Sequence, residues 1–266
     1  MPSLGRMVDR VKPIERISTM LARCGTDEAI LPPTALYNEG WLLRLVVDWY
    51  ARHPSENHLI PFQPDARWRS EVLLPSRFFK SRQREGWTHA DAVVGHFAAA
   101  ESRGDAKLVK ACGQFFVLEA KLGSSLSAGT KYAPTFNQAA RNIACMLHML
   151  ASGDHAPGAI KDLGFLVLLP EQRIDDALRR MMTPAAISEA IKARGDGADH
   201  DWCRVYVEPE VTRMRIDCVP WEALIAEIAG ADPTEGAALQ EYYEKCCRFN
   251  GLETPSWPNT AWSSPA

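Results

Sequence analysis

Two charges close an otherwise apolar run at residues 114–121, QFFVLEAK: Glu119 and Lys121. A near-continuous apolar run of this length has the character of a central strand, and along a strand successive side chains alternate faces. Glu119 and Lys121 then project from one face, about 7 Å apart, with Phe115 and Val117 deeper on that face. Charges are seldom set among buried neighbours unless they are paired or bind something. Another acid, Asp91, lies in the preceding strand-like stretch HADAVVG. If the two strands are neighbours, two carboxylates and an ammonium converge. Such a set offers oxygen ligands to Mg2+ or Mn2+, with a lysine that orients a water or helps to deprotonate it. The plain alternative is an ion pair at a strand end.

Context gives the pattern its weight. An acid-x-Lys triplet is expected about once by chance in a chain with 33 acidic residues, and this one has two. Asp105-Ala-Lys107 sits in the polar stretch ESRGDAK and reads as a solvated loop, whereas Glu119-Ala-Lys121 ends a buried strand.

The elements that must position these residues follow from periodicity. Residues 7–23 have a helical spacing, and after a proline break Asn38 caps a helix whose stripe is Trp41, Leu42, Leu45, Val46 and Trp49. Strands are expected at 68–74, 90–97 and 114–121. A Gly/Ser-rich loop (123–129) then leads to a helix marked by Phe136, Ala140, Ile143, Leu147 and Leu150. Beyond it the pattern predicts a strand at 164–169, a helix at 174–193, strands at 203–207 and 213–219, and helices at 221–229 and 237–249. A loose tail closes the chain. With no internal repeat, this is one α/β domain, a central mixed sheet flanked by helices, with helical elaborations at both ends: an extension over 1–37, the core over 38–230, and a C-terminal helix and tail over 231–266.

Composition excludes several classes. The 266 residues are 46% hydrophobic and 24% charged, as in ordinary globular proteins, and no apolar run approaches the ~20 residues of a membrane span. The N-terminal stretch shows no apolar signal segment, so a cytoplasmic protein without a membrane role is expected. A net charge of -3 does not announce a nucleic-acid binder, so any polyanion site must be local, and a partner or dimerisation could complete a groove. The seven cysteines contain no C-x-x-C pair and read as reduced thiols. No H-E-x-x-H, G-x-S-x-G or P-loop motif offers a rival site.

Asp91 in HADAVVG, with Glu119 and Lys121 in VLEAKLG, resembles the PD-(D/E)XK nuclease superfamily of restriction-endonuclease-like enzymes. The resemblance spans roughly residues 38–170. It implies a divalent-metal site, Mg2+ or Mn2+, and hydrolysis of a nucleic-acid phosphodiester, DNA foremost. Asp91 and Glu119 would hold the metal, Lys121 would assist the water, and Glu39 from the first long helix would supplement the site. By superfamily habit the role is one of bacterial defence or restriction. Pro64-Asp65 is the chain's only Pro-Asp pair before these strands and lies in an irregular segment, so the metal is assigned to Asp91, which follows Ala90. The next helix carries Gln138-x-x-x-Asn142 where RecB-like members have Gln-x-x-x-Tyr.

Supporting residues are Glu71, an alternative further carboxylate, and Gln138 and Arg141, which could steady the scissile phosphate. Lys131 and Tyr132 could touch a nucleic-acid backbone. Glu39 begins a helix, where a carboxylate is favoured with or without metal. Two rival readings stand: a degenerate nuclease fold that binds nucleic acid or a protein partner, and a different α/β enzyme carrying a chance Glu-x-Lys.

Overall fold

A computed structural model describes residues 12–80, 86–99, 106–129, 134–195, 197–255 and 257. In chain order the elements are α1 (Pro13–Ala22), α2 (Glu39–Arg52), β1 (Arg67–Pro75), β2 (Trp87–Gly95), β3 (Phe97–Ala99), β4 (Ala106–Leu108), β5 (Gln114–Ala120), α3 (Gln138–Ser152) and β6 (Asp162–Leu169). There follow α4 (Asp176–Met181), α5 (Pro184–Arg194), α6 (Gly197–Trp202), α7 (Glu208–Arg213), β7 (Arg215–Pro220), α8 (Trp221–Ala231) and α9 (Pro233–Phe249). Among the described residues no helix is long and apolar enough to cross a membrane.

The fold is α/β, built on a five-stranded mixed sheet of order β1-β2-β5-β6-β7. β1, β2 and β5 form an antiparallel meander, and β6 and β7 continue it in parallel. Helices cover both faces. α3, with α5 and α7 behind it, packs over Phe115, Val117, Phe165 and Val167, while α2, α8 and α9 pack over Phe116, Leu118, Leu166 and Leu168. Both β5 and β6 are therefore buried on two faces, which is why their sequences read as unbroken apolar runs. α9 completes the α2 layer with Leu239, Tyr243, Cys246 and Cys247 and so belongs to the core it closes. All seven cysteines are buried free thiols.

The parallel pair sets Gly164 beside Phe116, and a Cβ there would meet the Phe116 ring at 2.1 Å. Gly164→Ala is expected to lower stability by about 1–3 kcal/mol through overpacking, read as an earlier denaturant midpoint with an unchanged slope.

Several expected elements are corrected. Residues 203–207, CRVYV, look like a strand, yet they form a π-helical turn joining α6 to α7. The buried positions Cys203, Tyr206, Val207, Glu210 and Val211 recur at helical spacing across it, so packing on α3 and α5 overrides β propensity. The single helix expected at 174–193 is two, divided before Thr183, which caps α5 with Pro184 in its first turn. Ala106–Leu108 pairs with Phe97–Ala99 as a short hairpin, so Lys107 lies on a strand; Asp105 is outside the described residues. On α2 the buried seam runs through Leu42, Leu43, Val46, Val47, Trp49 and Tyr50. Trp41 and Leu45 remain 38% exposed, and the Arg44 guanidinium lies 5.1 Å from the Trp41 ring centre.

Candidate active site

β1 and β2 break the alternation of faces at one place. On β1, Trp68 faces the α2 layer, but Val72 and Leu74 face α3; on β2, Ala92 and Val94 face α2, but Ala90 faces α3. Strict alternation would keep each of these sets on one face. The crossover falls at Glu71 and Asp91, which stand opposite each other, unpaired, between the paired Ser70–Ala92 and Val72–Ala90. Glu71 accomplishes it with a left-handed backbone, φ 55°, in mid-strand. Strain of this kind concentrates at functional sites.

A fork opens at the same level. β2 and β5 pair only as far as Ala92–Leu118, so Asp91 and Glu119 face each other where the strands separate. Asp91 Oδ2 accepts the Ala120 N–H at 2.7 Å. Lys121 Nζ lies 2.6 Å from Glu119 Oε1. Glu119 is 1% exposed and the Lys121 side chain 14%, so the glutamate is buried and the lysine largely so, unlike a solvated strand end.

α3 supplies the rest of the cage. Asn137 caps the helix through the Ala140 N–H, which directs its first turn at the fork. Gln138 and Asn142, four residues apart and so on one helix face, both donate to Glu119: Gln138 Nε2 to Oε1, and Asn142 Nδ2 to Oε2 at 2.8 Å. Asn142 is fixed in turn by Thr88 of β2, whose hydroxyl donates to Asn142 Oδ1 at 2.8 Å. Behind the site, Trp221 at the start of α8 donates its indole N–H to the Lys121 carbonyl at 2.9 Å.

Burial first, and then the Asp91 charge, pushes the Glu119 carboxyl up to about 7, against the lowering effect of Lys121 and Asn142. Asp91 is also raised, chiefly by burial, with the Ala120 N–H and Lys121 opposing and Glu71 adding. Burial and mutual repulsion thus push both carboxyls toward their protonated forms.

Of the residues singled out in the sequence, Asp91, Glu119, Lys121 and Gln138 are brought together. Gln138 is engaged with Glu119 and with the Ser127 N–H rather than presented to a phosphate. Arg141 lies on the first turn of α3, half-buried. Glu39 starts α2 near Cys246 of α9, where its charge adds to the burial that raises the thiol pKa; the further carboxylate nearest Asp91 is Glu71. Lys131 and Tyr132 lie outside the described residues. Pro64-Asp65 forms a turn before β1, with the Pro64 carbonyl bonded to His96. Sequence reasoning missed Thr88 and Trp221, and met Asn142 only as a departure from Gln-x-x-x-Tyr, without a role. Asn142 had a signal, an amide among the apolar residues of one helix face, four after a glutamine.

Comparison with protein-family models, with curated proteins and with solved structures finds no match to this chain.

Glu71 is held by Arg44 at 3.0 Å, a partly exposed pair worth at most about 1 kcal/mol. Its left-handed backbone costs a non-glycine residue about 1–2 kcal/mol. Glu71→Gly is thus expected to melt close to the wild type, whereas Glu71→Val, which loses the same ion pair but keeps the strain in a β-branched residue, should melt several degrees earlier. Thermal melts of the two variants side by side measure the difference; coincident melts would remove the strain assigned to this residue.

Proposed function

We propose that the chain is a divalent-metal-dependent nuclease of PD-(D/E)XK type, with Asp91 and Glu119 as metal ligands and Lys121 as the cation of the reaction. The observation that carries this reading is the meeting of two facing carboxyls and a largely buried lysine at a strand fork. The element order helix, three antiparallel strands, helix, parallel strand is consistent with a restriction-endonuclease-like core.

The donor chemistry fits Mg2+ or Mn2+, which take hard carboxylate oxygens and complete their shells with water and phosphate. Among the described residues no group of three His, Cys, Asp or Glu side chains is placed to hold a metal. Two protein carboxylates are enough for Mg2+, and a cation would offset the repulsion between them. An ion held there supplies Lewis acidity toward a phosphate oxygen and makes water a better nucleophile.

The chain's own groups do the remaining work. Gln138 and Asn142 fix both oxygens of Glu119, and the Ala120 N–H fixes Asp91, so the carboxylates need little reorganisation on binding. Lys121, beside Glu119, would be placed to orient the attacking water and to offset charge growing on the phosphate with a cation held there.

Incubating the purified protein with plasmid and with single strands in Mn2+, Mg2+ or EDTA tests the proposal. Cleavage in either metal and none in EDTA is expected; intact nucleic acid under all conditions would favour a degenerate, binding-only fold.

A further inference from the structure

Lys121 also lines a cavity of about 210 Å3. Its apolar wall comes from Leu126 after β5, Leu169 at the end of β6, and Leu178 and Met181 of α4. Arg173 stands at its edge, half-buried, with no side-chain hydrogen bond or ion pair to the other described residues. A wider polar cleft of about 470 Å3 shares Ser125, Arg173 and Asp175 with this cavity and continues to Gly251, Leu252 and Glu253.

We propose that this cavity receives one nucleobase unstacked from the strand being cut, so that the substrate is single-stranded or frayed nucleic acid. The inference rests on the nuclease reading for its strand and its phosphate. Size is the first reason: the cavity is smaller than the ~300–1,000 Å3 of pockets for drug-sized ligands and admits a single ring system. Chemistry is the second. Leucine and methionine walls suit the faces of a base and repel a phosphate, while the unpaired Arg173 offers hydrogen bonds to a base edge or to the adjoining phosphate. Position is the third. A base and its own phosphate are one sugar apart, and Lys121 belongs both to the cavity wall and to the carboxylate centre. Filling the cavity therefore delivers a neighbouring phosphate to Asp91 and Glu119. A duplex must break stacking to do the same, which disfavours it.

The test is fluorescence titration of the full chain, in Ca2+, with a single-stranded oligodeoxynucleotide carrying one 2-aminopurine and with its blunt duplex. The single strand is expected to bind about ten-fold tighter or better. Met181→Trp, which fills the cavity, and Arg173→Ala, at its edge, should each weaken single-strand binding about ten-fold while circular dichroism stays that of the wild type. Arg173→Ala keeps the test open if the tryptophan variant misfolds. Equal affinity for strand and duplex, no binding of either, or single-strand binding indifferent to a folded variant would each overturn the proposal. Cleavage in Mn2+, read on the same samples, separates it from the nuclease reading. Cavity-dependent binding without cleavage supports the base site and removes the nuclease, and cleavage indifferent to both substitutions does the reverse.

Discussion

Lys121→Met is expected to slow single-turnover cleavage by about 10²- to 10⁴-fold, the range for a positioned proton-transfer or charge-stabilising group, with little change in nucleic-acid affinity. Methionine keeps the apolar stem and removes only the ammonium. Stability should fall as well, because the pair with Glu119 is largely buried and not a solvated strand-end contact. Breaking such a pair can cost about 3–5 kcal/mol when a charge is stranded. Glu119 can avoid that by keeping a proton, since its carboxyl is already pushed up to about 7. A loss of about 1–2 kcal/mol, below the stranded-charge figure, is therefore expected. Rate and melting must be measured on one variant: a protein that melts earlier but cuts at the wild-type rate would leave Lys121 as a structural cation and withdraw the nuclease assignment.

Glu119→Gln should abolish metal-dependent cleavage and also change how the metal-free protein responds to pH. The folded Glu119 carboxyl sits at about 7 and the unfolded one near 4.5, so between these values the native state holds more protons. Stability in EDTA must then fall as pH rises through that window, being fully present below about 4.5 and lost above about 7. The full shift corresponds to about 3 kcal/mol, reduced where Asp91 is itself protonated. Asp162 and Glu222 are raised by burial too and slope the same way, so the informative quantity is the difference between wild type and variant. Glutamine is absorbed by the cage: Asn142 can turn its amide to accept while the Thr88 hydroxyl, its present donor, accepts instead. Melts at pH 5–8 in EDTA should show a flatter profile for the variant. Adding Mg2+ at pH 8 should raise the wild-type melting temperature and leave the variant's unchanged. Parallel profiles would mean that Glu119 is ionised throughout.

The strand FFVLEAK and the helix after it were legible because burial on both faces of a strand, or along a wide helical stripe, writes itself directly into composition. The pairing of Asp91 with Glu119 was legible only in outline. Alternation places Glu119 with Val117, but nothing in the chain's pattern announces that β1 and β2 change faces at Glu71, because a glutamate in a left-handed conformation carries no local signature. Thr88 was missed and Asn142 left without a role since their value lies in a contact between strand and helix, 54 residues apart. The π-turn at Cys203 was misread for the opposite reason, its β-branched and aromatic residues suiting a strand until α3 and α5 claim them. Trp41 and Leu45 widened an apolar stripe beyond the seam that α2 buries.

The bond from the Trp221 indole to the Lys121 carbonyl spans 100 residues of chain. During synthesis the meander β1, β2 and β5 leaves the ribosome well before β7 and α8, and contacts so distant in sequence form late. Before α8 is made, the Lys121 N–H already has its acceptor, the Leu168 carbonyl of β6 at 2.8 Å, while the Lys121 carbonyl still lacks the Trp221 donor. The Trp221 contact is thus a late addition to this strand end, and a chain ending before residue 221 is expected to keep the β6 bond to Lys121 while losing the indole bond to its carbonyl.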